Sequence, residues 1–389
     1  MLENRNIKID SIILTDDNHL LEFDITINSE KHHIFFRSNN AKLTPSPEAF
    51  VSLLLHPAMK TKKHIHLEEE IDGKFLDNLP TIQSIYSQWH PHLQLSETVQ
   101  KNLRRSKSLN KKRERTALFY SGGVDANFSL LKLKDEIDDL ILIRGFDINL
   151  ENSDLLNRTS ELAREIGKRY DKRVIEIETN VVQFLKRYRK LIHFFSAVLS
   201  SIGHILSSEI GRVIISSAEN YASLTNNIGT HAVLEPRWSS DSLDVIYYGC
   251  KASRLQKLDF ISRDEFILNY LRVCGANNKS ALNCGECEKC VRTMTGLLSL
   301  NKLDVCNSFE KKLDVRNIYP IRMDPFKSYV YSEILYELEK RGTHRDVCFA
   351  LSTIINRPNF ITTNKTLLKN VFQRQKYRFP KLYNLILQK

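Results

Sequence analysis

Four cysteines, Cys274, Cys284, Cys287 and Cys290, fall inside one short segment of the chain. Three stand at two-residue gaps in Cys284-Gly285-Glu286-Cys287-Glu288-Lys289-Cys290, and Cys274 precedes them across a loop containing Asn277 and Asn278. Four thiolates complete the tetrahedral shell of Zn²⁺ and leave no open position, which predicts a structural metal site. Thiolates at similar gaps also hold four-iron clusters, so an iron–sulfur centre is the rival reading, with unliganded buried cysteines the plain one. Upstream, Ser121-Gly122-Gly123-Val124-Asp125 joins an apolar run to a helical stretch. A glycine pair at that junction lets the backbone turn tightly, so that N–H groups and the positive helix end converge on a phosphate. Ser121 adds a hydroxyl donor. Asp125 sits poorly beside a polyanion unless Mg²⁺ or a helix-start hydrogen bond compensates it. The pattern is neither a Walker loop nor a G-x-G-x-x-G fingerprint.

Around these motifs the chain is organised in four parts. Residues 1–100 alternate apolar and polar positions from Ile7 to Arg37, then show a helix opening at Ser46-Pro47, a short strand near His64 and a helix near Leu76 to Trp89. They read as a small α+β module. Residues 101–115 are dense in Lys and Arg and read as a basic linker that could also touch a polyanion. Residues 116–314 alternate short apolar β-rich runs with helical stretches, which predicts an α/β fold, a parallel sheet with helices on both faces. Its strands are expected at Thr116 to Tyr120, Leu140 to Phe146, Arg173 to Ile177, Arg212 to Ser216 and Leu243 to Tyr248, with Ser153 capping the helix that runs to Tyr170. Residues 315–389 read as a helical region, clearest at Tyr329 to Lys340 and Arg345 to Ile355.

That topology places ligands outside the carboxyl ends of the strands. Polar loops follow the fourth strand, and Glu219, His231, Arg237 and Asp241 are candidates for an acceptor pocket there. Arg254 and Lys257, three apart, share a face if helical and are candidates for catalytic contact with phosphates; a solvated helix face explains them equally.

The chain has 389 residues, 42% of them hydrophobic, enough for a core without disulfides. Seven cysteines, four clustered, fit a reducing, cytoplasmic setting. No apolar run reaches the ~18 residues of a membrane span. A net charge of +11 favours acidic partners: nucleotides, phosphorylated substrates or nucleic acid.

Strand, Ser121-Gly122-Gly123-Val124-Asp125 and helix together resemble the PP-loop of the ATP pyrophosphatase superfamily, whose adenine-nucleotide α-hydrolase fold is Rossmann-like. The resemblance implies that Ser121, Gly122, Gly123, Val124 and Asp125 hold the pyrophosphate of ATP and its Mg²⁺. It also implies that Gly145, Phe146 and Asp147, with Arg144, border the adenine and ribose at the end of the second strand. Ala126 stands where the family has a final serine. Cys274 followed by Cys-Gly-x-Cys-x-x-Cys resembles the zinc motif of cyano-deazaguanine synthase, which turns a carboxylate into a nitrile with ATP and ammonia. The expectation is then a zinc-braced, AMP-forming ligase that adenylates a carboxyl or carbonyl oxygen for attack by ammonia or an amine. Its acceptor would be a small, deazapurine-like molecule, or a protein or nucleic acid, and an oligomer is possible. Relatives with added segments occur in bacterial antiphage gene clusters, so the resemblance permits a defence role. Two alternatives stand beside it: a sulfur-inserting tRNA or DNA modifier with Cys250 as sulfur carrier, and a nucleotide-binding regulatory subunit without catalysis.

Overall fold

The computed structural model of the chain describes residues 6–100, 103–104, 115–188, 191–222, 224, 229–277 and 281–357. Most of the basic stretch 101–115 and everything after 357 therefore lie outside the described residues, as does Asn278.

The chain opens with three antiparallel strands, β1 (Asn6–Leu14), β2 (Leu20–Ile27) and β3 (Glu30–Ser38), then α1 (Pro47–Thr61), β4 (His64–Leu67), β5 (Ile71–Asp72), α2 (Gly73–Trp89), β6 (Thr98–Gln100) and β7 (Leu103–Arg104). An alternating unit follows: β8 (Arg115–Phe119), α3 (Val124–Lys132), β9 (Asp139–Arg144), α4 (Ser153–Tyr170), β10 (Arg173–Thr179), α5 (Val181–Lys186), α6 (Leu191–Ile205), β11 (Ile210–Ser216) and β12 (Asp244–Tyr248). Four further helices are α7 (Arg254–Ile261), α8 (Glu265–Asn269), α9 (Glu288–Ser299) and α10 (Pro325–Arg341), and α11 (Arg345–Ile355) is the last described element.

The five expected strands form a parallel array in the order β12-β11-β8-β9-β10. Successive β8 residues face opposite cores. Ala117 and Phe119 join one cluster with Val198 and Ile202 of α6, while Leu118 joins another with Leu130 of α3 and Leu162 of α4. A strand buried on both faces has no polar face to alternate, which explains its continuous apolar run. The cap of α4 lies one residue earlier than expected: the Asn152 side chain, not Ser153, accepts from Leu155 N–H at 3.3 Å.

Apart from β5, which pairs with β7 in a separate two-stranded sheet, the strands of the first hundred residues do not build a sheet of their own. Strand β3 pairs antiparallel with β10, matching Ser38 to Ile177 and Phe36 to Thr179, so one ten-stranded sheet runs from β12 to β6. Asn180 extends the seam: its amide oxygen accepts from Phe35 N–H at 3.1 Å and its amide nitrogen donates to the His33 carbonyl at 2.9 Å. Helix α1 packs against α6, and the buried Ser52 and Ser200 hydroxyls meet at 3.2 Å. Buried from Glu48 to Met59, α1 shows no exposed polar stripe. Helices α10 and α11 form a smaller core with Val291 of α9 and Leu255 of α7. Among the described residues no helix is long and apolar enough to cross a membrane.

Candidate functional site

Strand β8 leads through α3 to β9 on one side, while β11, its other neighbour, leads on to β12. Chain direction in the sheet thus switches between β8 and β11, and ligands of open α/β sheets settle outside the strand ends at such a point. A cavity of about 690 Å³ opens there. Ser121, Gly123, Val124, Asp125 and Ala126 line one wall, and Arg144, Phe146 and Asp147 another. Ser216, Ala218 and Thr230 contribute from the β11 side.

The loop between β8 and α3 is pinned from behind. Asn127 donates from its side chain to the Gly122 carbonyl at 3.0 Å and accepts from Tyr120 Oη at 2.7 Å. The Arg272 main-chain N–H donates to the same carbonyl at 2.9 Å. With that oxygen engaged away from the cavity, Gly123 becomes the N-cap of α3 and makes no side-chain cap bond. The first-turn N–H groups, which have no partner within a helix, are then left for a ligand. Gly122 has φ +75°, a conformation that favours glycine, and a Cβ there would crowd Arg272 Cβ and Leu162 Cδ2 at 3.2 Å each. Gly122 is buried behind the loop and is absent from the cavity lining.

Asp125 does not stand free to meet a cation. Arg254 Nη1 donates to its Oδ2, and Lys257 Nζ donates to its Oδ1 at 3.3 Å. Burial by itself would raise the carboxyl, but Arg254 and then Lys257 outweigh it and hold Asp125 below the usual carboxylate range. Both cations come from α7, whose start is fixed by a capping box between Ser253 and Gln256. The side chains part from there. Arg254 lines the cavity, whereas Lys257, only 1% exposed, lies beneath and also donates to the Ser217 carbonyl.

At the end of β9, Gly145 has φ +91° and a Cβ would fall 2.1 Å from the Thr179 carbonyl, so only glycine fits. Gly145 shapes the turn without lining the cavity. Phe146 packs edge-on against Phe195 at 4.6 Å, forming an apolar pouch with Ile143 and Leu199. Arg144 is held by Glu178 at 3.3 Å and by the Ser160 hydroxyl at 2.7 Å. Asp147 faces Arg272 Nη2 at 3.0 Å, and Asn277 bridges the pair by accepting from Arg272 at 2.9 Å and donating to the Asp147 carbonyl at 2.9 Å.

The sulfur atoms of Cys274, Cys284, Cys287 and Cys290 all lie within 4.8 Å of one another, and Cys274–Cys287 and Cys284–Cys290 are each 3.9 Å apart. Tetrahedral Zn–S bonds of about 2.3 Å require sulfur separations of about 3.8 Å, so the four donors fit one metal ion. A four-iron cube would spread its thiolates wider. The thiols are free of disulfides, and their titrations split apart: contacts with Cys287 and Cys290 lower Cys274, while contacts with Cys274 and Cys287 raise Cys290. Four clustered thiolates need a cation to offset their repulsion. Cys287 N–H donates to Cys284 Sγ at 3.2 Å. Asn283 ties this turn to the preceding segment by accepting from Val273 N–H at 2.8 Å and Cys274 N–H at 3.2 Å.

Several lining residues had no sequence motif to announce them. Arg272, Lys289 and Arg292 flank or interleave the cysteines, and basic residues between metal ligands were the available signal. Lys289 opens onto the cavity and is exposed; the protein atoms around it, then Arg292, Arg254 and Arg272, lower its ammonium. Asp324, Phe326 and Lys327 arrive from the start of α10, with Arg292 over the Phe326 ring at 5.3 Å. Other expected residues lie elsewhere. His231 accepts from Val233 N–H at 3.1 Å and contacts the Leu224 carbonyl at 3.0 Å. Arg237 donates to Asn78 at 3.2 Å, and Asp241 N–H donates to Asp72 at 3.2 Å. Glu219 is buried outside the lining, and so is Cys250, whose thiol donates to Ser217 at 3.2 Å and is raised by burial. No family model, curated protein or solved structure matches the chain.

Proposed function

We propose that the chain is an ATP-dependent, AMP-forming ligase of the PP-loop type, related in chemistry to the cyano-deazaguanine synthases. Mg²⁺-ATP occupies the cavity, with its phosphates over Ser121 and the first turn of α3 and its base in the apolar pouch beside Phe146. An acceptor carboxyl or carbonyl oxygen attacks the α phosphorus, pyrophosphate leaves, and ammonia or an amine then displaces AMP. The observation that carries this reading is the uncapped N-terminus of α3 at the sheet's switch point, opening into a cavity whose other walls present Arg254, Arg272, Lys289 and Arg292. Donors and cations fixed in advance stabilise the charge that develops on the phosphates without reorganising during the reaction.

In this scheme Ser121 supplies a hydroxyl and Asp125 orients Arg254 and Lys257. Asp147 holds Arg272 against the loop. Zn²⁺ in the cysteine cluster would act structurally, since its four donors leave no open position. Calorimetry of the full chain with Mg²⁺-ATP tests the reading: the wild type gives a saturable heat, and Gly122→Val, which forces a branched side chain into a left-handed, crowded position, loses it while retaining the far-ultraviolet circular dichroism of the wild type. A wild type that gives no heat sinks the proposal.

A further inference from the structure

Among the described residues, every basic side chain that lines the cavity faces an acidic partner, with one exception. Arg254 and Lys257 share Asp125, Arg272 faces Asp147 at 3.0 Å, Arg292 Nε lies 3.5 Å from Glu288, and Lys327 bonds to Asp324. The ammonium of Lys289 has no ion-pair or hydrogen-bond partner among the described residues, although it lines the same cavity. Its stem crosses Gly275, where a Cβ would stand 3.2 Å from Lys289 Cδ and 3.5 Å from Cε; the missing side chain leaves room for the lysine to lie inward. Its backbone sits in the first turn of α9, between Cys287 and Cys290. An ion held by those two thiolates would fix the place from which the lysine reaches out.

We propose that Lys289 is a ligand-binding residue whose ammonium contacts the phosphate tail of the nucleotide lying over the β8–α3 loop. The assignment deepens the functional reading above and rests on it. Arg254, Arg272 and Arg292 line the same cavity as Lys289 and carry charge of its own sign. Gathering a fourth cation there is unfavourable until an anion of multiple charge enters, and a polyphosphate supplies that charge where a single acceptor carboxylate does not. A lysine also suits the task geometrically, because it meets phosphate as a point charge and needs no planar, bidentate fit.

The test is calorimetry on the metal-loaded full chain with two probes, Mg²⁺-ATP and AMP. Lys289→Met keeps the stem packed on Gly275 and removes the charge; Lys289→Arg restores charge. The expected result is Mg²⁺-ATP binding about tenfold or more weaker in Lys289→Met, AMP binding unchanged, and most of the loss recovered in Lys289→Arg. Equal Mg²⁺-ATP affinity in Lys289→Met and wild type overturns the assignment while leaving the ligase reading intact. Parallel loss of AMP binding also overturns it, by showing that the side chain shapes the cavity and does not contact the tail. A wild type that binds neither probe removes both proposals together.

Discussion

The main-chain N–H of Arg272 donates to the carbonyl of Gly122 at 2.9 Å, two residues before Cys274 enters the cysteine cluster. Arg272 Cβ also occupies the space a Gly122 side chain would need. The glycine turn and the segment that enters the cysteine cluster are therefore joined directly, although about 150 residues separate them in the chain.

Metal removal should loosen the turn before the large sheet melts. Chelation at neutral pH is expected to raise amide exchange at 122–125 and to weaken Mg²⁺-ATP binding by about tenfold. Acid should act similarly, because each thiolate must lose its proton to bind metal. Hydrogen exchange followed by mass spectrometry reads the first effect. A metal-free, folded chain with unchanged protection at 122–125 would disconnect the two sites.

Asp125→Asn leaves the buried Lys257 and the nearby Arg254 without a counter-charge. A loss of about 3 kcal/mol in urea unfolding at pH 7 is expected, the usual cost of breaking a buried pair from one side. Because the folded carboxyl is held below 3.8, its contribution is complete above that value and disappears as pH falls through the folded one. The wild type should therefore lose more stability than Asp125→Asn on acidification from pH 4 downward. Equal unfolding midpoints at pH 7 would show that the pair contributes nothing.

Glu235 behaves in the opposite sense. It is fully buried, shares a hydrogen bond with the Ser196 hydroxyl, accepts from His231 N–H at 3.1 Å, and burial raises it to about 8 from 4.5. Between those values the unfolded chain has released a proton that the folded chain retains, so stability should fall as pH climbs from about 4.5 to about 8 and then level off. Glu235→Gln keeps both hydrogen bonds without the ionisation. It should flatten that slope and gain on the order of a few kcal/mol at pH 8 relative to wild type. Melting temperatures at pH 5 and pH 8 check this; an unchanged slope in the variant would mean that Glu235 ionises freely inside the fold.

Local patterns carried much of the architecture. The apolar runs at Ala117-Leu118-Phe119 and Val213-Ile214-Ile215 marked strands because both faces of each are covered, and the 3.6-residue stripe along Leu155, Leu162 and Ile166 marked α4. The antiparallel pairing of β3 with β10 left no such mark, since either neighbour would bury the same alternating residues of β3. His231, Arg237 and Asp241 had the right residue types for an acceptor pocket, yet their side chains or main chain are engaged in holding loops together outside the cavity.

By itself the sequence determined that glycines follow a buried strand and that four thiols are spaced to meet, because backbone freedom and donor spacing are properties of a few consecutive residues. Tertiary structure alone decided that Arg272 would close on Gly122, that Asp125 would hold Arg254 and Lys257, and that Lys289 would line the same cavity. Those contacts join segments more than a hundred residues apart, and where such segments meet depends on how each crossover and helix packs against the sheet rather than on any local preference.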